Sequence, residues 1–422
     1  MAVNYLHGIE TIQVTAGPIP VREVKSAVVF LVGTAPVHES IPTGVSPDDW
    51  YDQVVNKPLL ILKQEDAVYY FGNPKPGYTL PYAFDAIFDH GGTTVVAVNV
   101  FDPRVHVDTN GTPDPSLVSA SDIIGSVDST TGERTGLQII DELYSRFGFT
   151  PKIILVPVFC QQSAVMSEMI AKAESKRAIA LIDAPAGLTV QQVINERGSG
   201  GQLNTSSYRA VICYPHLKIY DTATNVERLE PFSQRLAGVI AKVDHEKGYW
   251  FSPSNNEILG ITGIERAITA SITDPLSETN LLNENGIVTV FNSFGTGYRV
   301  WGNRSAAFPA QTDPKNFIPV TRTADIIAES IEFSTMQFLD RPITVVIDAV
   351  LSMVNAFLRT LIGRGAIVDG KCWFPKDKNP PDQLAAGRLH FDYSIMPPTP
   401  AERITFTQII DINILKKLTG GE

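Results

Sequence analysis

The segment Gly365-Ala366-Ile367-Val368-Asp369-Gly370-Lys371-Cys372 is the nearest approach to a phosphate-binding loop in this 422-residue chain. It matches G-x-x-x-x-G-K, but Cys372 stands where a hydroxyl must reach Mg²⁺. It also follows a helical stretch, and Trp373-Phe374-Pro375 cannot open the helix whose N-terminus would hold phosphates. A loop leading into a strand is expected instead. Gly198-Ser199-Gly200-Gly201 lacks the third glycine of a dinucleotide fingerprint and sits behind a helix, which predicts a flexible loop. The seven histidines, His7, His38, His90, His106, His216, His245 and His390, show no zinc-protease spacing, and no G-x-S-x-G elbow exists. Asp244, His245 and Glu246 are consecutive, so a helix points them apart and a solvated helix end is expected. Asp183, ahead of Ala184-Pro185, is the best carboxylate for an α/β active site; otherwise it caps the next helix. No catalytic residue, metal site or cofactor follows from these motifs.

The chain's bulk properties narrow the classes further. Its length implies two or three domains, each with its own core. Only 19% of residues are charged against 44% hydrophobic, which leaves much neutral surface for subunit contacts. The net charge of −11 repels nucleic-acid backbones and anionic membranes. Cys160, Cys213 and Cys372 lie far apart in no ligand spacing and read as reduced core thiols. The first ten residues carry no signal-peptide pattern, and the apolar runs are broken by Pro, Gly or Asp before the roughly 18 residues a span requires. Neither nucleic-acid binding nor membrane insertion is expected.

The elements that would position any site begin near residue 26. Strands are predicted over Ala27–Val32, Thr93–Val100, Lys152–Phe159, Ala178–Asp183 and Tyr208–Tyr214. Helices are predicted between them, over Pro81–His90, Gly136–Phe147, Ser163–Lys176 and Thr189–Arg197, the alternation of βαβ units. Residues 101–133, rich in Pro, Gly, Asp, Ser and Thr, interrupt it as an exposed insertion. A second domain is placed from 233, opening with a helix at Ser233–Lys247. It contains a long helix over Ile343–Ile362, with one apolar face, stopped at Gly363. The expected class is α/β and multidomain, with an open mixed-sheet domain over 26–232 and an α+β domain over 233–396.

The two ends do not make cores. Residues 1–25 hold a β-prone piece, with Ile9, Thr11, Ile12 and Val14, before a Gly17, Pro18 and Pro20 linker. At the other end, Pro397, Pro398 and Pro400 form a stiff spacer leading into residues 404–414. There Ile404, Phe406, Ile410, Ile412 and Ile414 share one face of a predicted strand. Such a strand needs a sheet to join. Segments 1–25 and 397–422 are therefore expected to be extended β-strand arms.

Several strings in order resemble the sheath proteins of contractile phage tails, especially their P2-like branch, with pyocin and phage-tail-like injection particles as relatives. They are Ala237-Gly238-Val239-Ile240-Ala241-Lys242-Val243-Asp244, Gly248-Tyr249-Trp250-Phe251-Ser252-Pro253, Asn280-Leu281-Leu282-Asn283-Glu284-Asn285-Gly286-Ile287, and Arg299-Val300-Trp301-Gly302-Asn303-Arg304-Ser305. Phe317-Ile318-Pro319-Val320, Arg322-Thr323-Ala324-Asp325-Ile326-Ile327 and Pro400-Ala401-Glu402-Arg403-Ile404 continue the series. His7-Gly8-Ile9-Glu10 and Val32-Gly33-Thr34-Ala35-Pro36 match the family's opening. The chain departs from the family at Lys242, where Arg is common, and at Val320-Thr321-Arg322-Thr323, where a second basic residue is common.

The resemblance implies a non-enzymatic structural subunit that polymerises as stacked rings, sixfold by family habit, and contracts to drive an inner tube through a cell envelope. Implied partners are copies of itself, the inner tail tube protein, and baseplate and tail terminator proteins. The implied location is a virion tail or phage-tail-like particle, assembled in a bacterial host's cytoplasm. Both terminal arms would add strands to a small sheet in neighbouring C-terminal domains. For the tube contact, Arg359, Arg364 and Lys371 at the basic end of the long helix are the candidates. The alternatives carried alongside are an α/β enzyme with an unrecognised site and a tube or baseplate binding module.

Overall fold

Runs of β-branched and aliphatic residues with no polar alternation must be covered on both faces, and they build the centre of the protein. A computed structural model describes residues 20–221, 224–293 and 295–419. The strands are β1 (Val29–Gly33), β2 (Leu59–Ile61), β3 (Val95–Asn99), β4 (Ile153–Leu155), β5 (Ile179–Asp183), β6 (Ala210–Cys213), β7 (Leu217–Asp221), β8 (Val226–Glu230), β9 (Gly263–Ile264), β10 (Ile287–Ser293), β11 (Gly297–Trp301), β12 (Asp369–Trp373) and β13 (Asp392–Met396). The helices are α1 (Pro47–Val54), α2 (Gln64–Phe71), α3 (Leu80–Phe88), α4 (Ala120–Ile124), α5 (Leu143–Phe147), α6 (Ser163–Lys176), α7 (Val190–Arg197), α8 (Phe232–Glu246), α9 (Glu278–Glu284), α10 (Ile318–Thr335), α11 (Ile343–Arg364) and α12 (Pro381–Ala385).

Eight strands form one mixed sheet in the order β11-β10-β6-β5-β4-β1-β3-β2. Its interior is parallel, and antiparallel pairing appears only where β2 meets β3 and β11 meets β10. One face packs on α3 and α8 through residues such as Phe84, Leu236 and Ile240, and the other on the α6 and α7 side through Met169 and Val193. The five predicted strands are all present, four of them trimmed and β1 shifted to end at Gly33 in place of Val32. Residues 136–147 start as a 3₁₀ helix over Gly136–Glu142 before α5. Within 101–133, much of the surface is open, but Phe101, Val118 and Ile123 are buried in the second core.

Three expectations give way. A break at 233 does not follow the sheet, because α8 covers it and β10 pairs with β6 at Ile287↔Ile212 and Val288↔Cys213. The long helix does not stop at Gly363. It runs 22 residues to Arg364, where Gly365 takes the left-handed φ of +76° that a side chain disfavours. By length and composition α11 is able to cross a membrane, against the expectation of shorter apolar runs. Its Val346, Val350, Val354, Phe357, Leu358 and Leu361 instead form a separate core with Ile327, Ile367 and Cys372.

Candidate assembly interface

The smallest sheet is the unusual one. Among the described residues strands β12 and β13 pair only with each other, from Asp369↔Met396 to Trp373↔Asp392, so each has a side without a described strand neighbour. Asn355 of α11 holds β12 from below, its side chain accepting from the Cys372 amide and donating to the Cys372 carbonyl, both at 2.9 Å. Around this hairpin Val368, Trp373, Tyr393 and Met396 stay exposed. A two-stranded sheet is marginal alone, and its apolar rim is left for something to cover. The same geometry answers the loop question raised by Gly365–Cys372: a helix cap, a short connection and a strand, as expected, with Lys371 inside β12 and opening no helix.

The C-terminal segment offers apolar groups without a seat. Residues 404–411 carry no regular structure, and Ile404, Phe406, Ile409 and Ile410 are 72–90% exposed. The strand expected over 404–414 is absent from the single chain: 404–411 are irregular and Ile412–Thr419 forms 3₁₀ turns. With no sheet beside them, Ile412 and Ile414 take the local conformation that satisfies the backbone within the segment. Ile9, Thr11, Ile12, Val14, Gly17 and Pro18 lie outside the described residues.

Both arm bases are held on the body. At the N-terminal base, the amides of Arg22 and Val24 donate to the hydroxyls of Ser334 and Ser330 at 3.1 Å, one helical turn apart on α10. Glu23 pairs with Arg364, whose guanidinium lies 5.1 Å over the Trp250 ring. At the C-terminal base, Arg304 donates through Nε and Nη2 to both carboxylate oxygens of Glu402 at 2.9 and 2.5 Å. The same guanidinium stacks between Phe308 and Phe317 at 4.2 and 4.3 Å and donates to Asn316 Oδ1 at 2.8 Å.

Helix α10 joins this C-terminal unit to the large sheet through three buried ion pairs and one exposed pair, Arg177–Glu332. Glu329 accepts from Lys152 and Thr150, and Asp325 accepts from Arg209 Nη2 at 3.0 Å. Arg177 makes a two-pronged pair with Glu332, both bonds at 2.7 Å. Arg322 grips Asp244 at 2.6 and 2.9 Å and donates to the Ser26 carbonyl. Asp244 is therefore a buried ion-pair partner, which corrects its expected place on a solvated helix end. The separations of 177, 116 and 78 residues explain why no local pattern revealed these pairs.

Of the three tube-contact candidates, Arg359 and Lys371 are exposed and make no ion pair among the described residues, while Arg364 is occupied by Glu23. The enzyme alternative rested on Asp183. Its Oδ1 accepts from the Ser233 amide at 2.8 Å, its Oδ2 from the Ser233 hydroxyl at 2.5 Å, and the Cys160 thiol points at Oδ2 from 3.7 Å. Burial raises both the Asp183 carboxyl and the Cys160 thiol above their usual ranges. The carboxylate is spent capping α8, a different helix from the α7 that follows it in sequence. Among the described residues no group of three or more His, Cys, Asp or Glu side chains is arranged to hold a metal ion.

Comparison with known proteins supplies the context. The phage tail sheath protein central domain matches residues 132–306, and the phage tail sheath C-terminal domain matches residues 310–411. The chain is similar to the tail sheath protein of Burkholderia phage BcepMu, 40% identical over an alignment of 493 residues covering all of both chains. It is 30% identical to the tail sheath protein of Escherichia phage P2, over 98% of each. Among solved structures, its fold is similar to the contracted-state PVC sheath complex of an extracellular contractile injection system, with a TM-score of 0.67 at 18% identity over 98% of this chain and 100% of that one. The contracted helical sheath of the anti-feeding prophage gives 0.68 at 18% identity over 97% and 100%.

Proposed function

The chain belongs to the phage tail sheath protein family, and from that premise we propose that each subunit is completed by strands lent from its neighbours. It is a structural subunit of a contractile sheath, in a phage tail or a phage-tail-like particle. The arm segments 1–25 and 397–422 add to the free sides of β12 and β13 in adjoining copies, and the resulting mesh stacks as sixfold rings. One observation carries this reading: residues 404–418 expose a run of isoleucine, leucine and phenylalanine beyond any sheet of their own, while β12 and β13 form a sheet too small to stand alone. Main-chain hydrogen bonds join such partners in either sheath length, because strand addition depends little on how the bodies rotate.

The inner tube fits inside, approached by the exposed basic end of the C-terminal unit at Arg359 and Lys371. Baseplate and terminator proteins bound the two ends of the sheath, and assembly takes place in the host cytoplasm. Stored energy comes from the less stable extended arrangement, so conversion is irreversible once triggered.

Deleting Thr405–Glu422 is the direct test. Electron microscopy is expected to show tubes from the full chain and none from the truncated one, with the same thermal unfolding midpoint for both. Tubes from the truncated chain would refute the arm assignment.

A further inference from the structure

We propose that an arginine–glutamate latch at each arm base, Arg364–Glu23 and Arg304–Glu402, fixes where the arm leaves the body, so that the C-terminal arm pivots beyond Glu402 and not at Pro397–Pro400. The proposal rests on the arm reading above and deepens it. The proline spacer is held at both ends. Strand β13 runs to Met396 in register with Asp369, and six residues later the Glu402 carboxylate is seated on Arg304. Three of the residues between them are prolines with φ already fixed, so the spacer acts as a strut.

The body side of the latch is set in advance. Arg304 reaches Glu402 with its fork while two aromatic faces and Asn316 fix the plane of the guanidinium, which suits a carboxylate and no other side chain as well. The N-terminal latch repeats the device with a different aromatic partner, Trp250, and two serine hydroxyls on the main chain. Each glutamate borders the segment that must find another molecule, Glu23 just after the N-terminal one and Glu402 just before the C-terminal one. Holding the base of an arm cuts the freedom lost when its tip docks, which speeds capture without adding a contact to the joint.

The test uses the full chain, diluted below the concentration at which tubes form, with spin labels at Thr399→Cys and Gln191→Cys. The native cysteines are buried and take no label. A narrow distance distribution is expected in the parent, broadened by Glu402→Gln and left narrow by Arg403→Gln. A distribution already broad in the parent, or one unmoved by Glu402→Gln, overturns the latch. Elongation of preformed tube seeds by Glu402→Gln is expected to slow about tenfold, and an unchanged rate would remove the proposed advantage. Because the distance is read on the dilute chain, it is independent of whether the Thr405–Glu422 deletion still polymerises.

Discussion

The inner pairs that join α10 to the large sheet and the pairs at the two chain ends use the same chemistry at different depths of burial. Lys152, Glu329 and Arg322 are each at least 93% buried, whereas Glu402 keeps 42% of its side chain exposed and Arg364 keeps 45%. A buried pair is costly to break because its survivor has no water to turn to, while an exposed pair leaves both groups solvated. Burial thus makes one junction a weld and the other a latch. On the arm reading proposed above, the sheet and the C-terminal helices would move as one body and a change of sheath length would draw its freedom from the arms.

Breaking the weld should have the largest effect. Glu329→Ala leaves Lys152 unpaired and is expected to cost about 3–5 kcal/mol in denaturant unfolding, whereas Lys152→Met with Glu329→Leu should recover most of it. A double variant as damaged as the single one would mean that packing, not charge, is what α10 supplies there.

The next effect concerns a buried histidine on the sheet's helical layer. His90 donates from Nδ1 to the Ala86 carbonyl at 2.9 Å and accepts the Leu259 amide on Nε2 at 3.0 Å. Burial, with the nearby positive charges of Arg235 and Lys242, lowers its pKa to about 4. The unfolded chain therefore binds the proton first, and stability is full above pH 6.5 and drains as pH falls toward 4. The loss amounts to about 3 kcal/mol by the usual conversion of pKa shifts. Comparing unfolding at pH 7 and pH 4.5 for the parent and His90→Asn isolates this part, and equal slopes would show that the ring is not neutral in the fold. Smallest of all, Glu23→Gln and Glu402→Gln should each shift stability by less than about 1 kcal/mol. A loss as large as that of Glu329→Ala would erase the distinction between latch and weld.

How much of this was legible depends on whether the signal was local. Helix α6 has the bounds that apolar spacing predicts, and the five strands β1, β3, β4, β5 and β6 announce themselves as aliphatic runs, while the short edge strand β2 does not. Strand β10 escaped because its partner β6 lies about seventy positions upstream and its neighbours are turn-rich, so a domain break near 233 looked natural. Asp244 looked solvated because only Arg322, from another helix, makes it a buried partner. Arg304 and Glu402 both lie within strings that resemble the sheath family, yet nothing along the chain says that they touch. The isoleucine alternation after Pro400 was visible, while the 3₁₀ turns at its end reflect a backbone that has no neighbour to bond.

The unclothed isoleucines of residues 404–418 impose a discipline on manufacture. Until it is incorporated, every newly made molecule displays a greasy ribbon that will stick to any other open β edge. Synthesis that outpaces tube growth should therefore fill the producing cell with amorphous clumps, and the ratio of this polypeptide to growing tube ends becomes a quantity the producing cell has to keep in bounds.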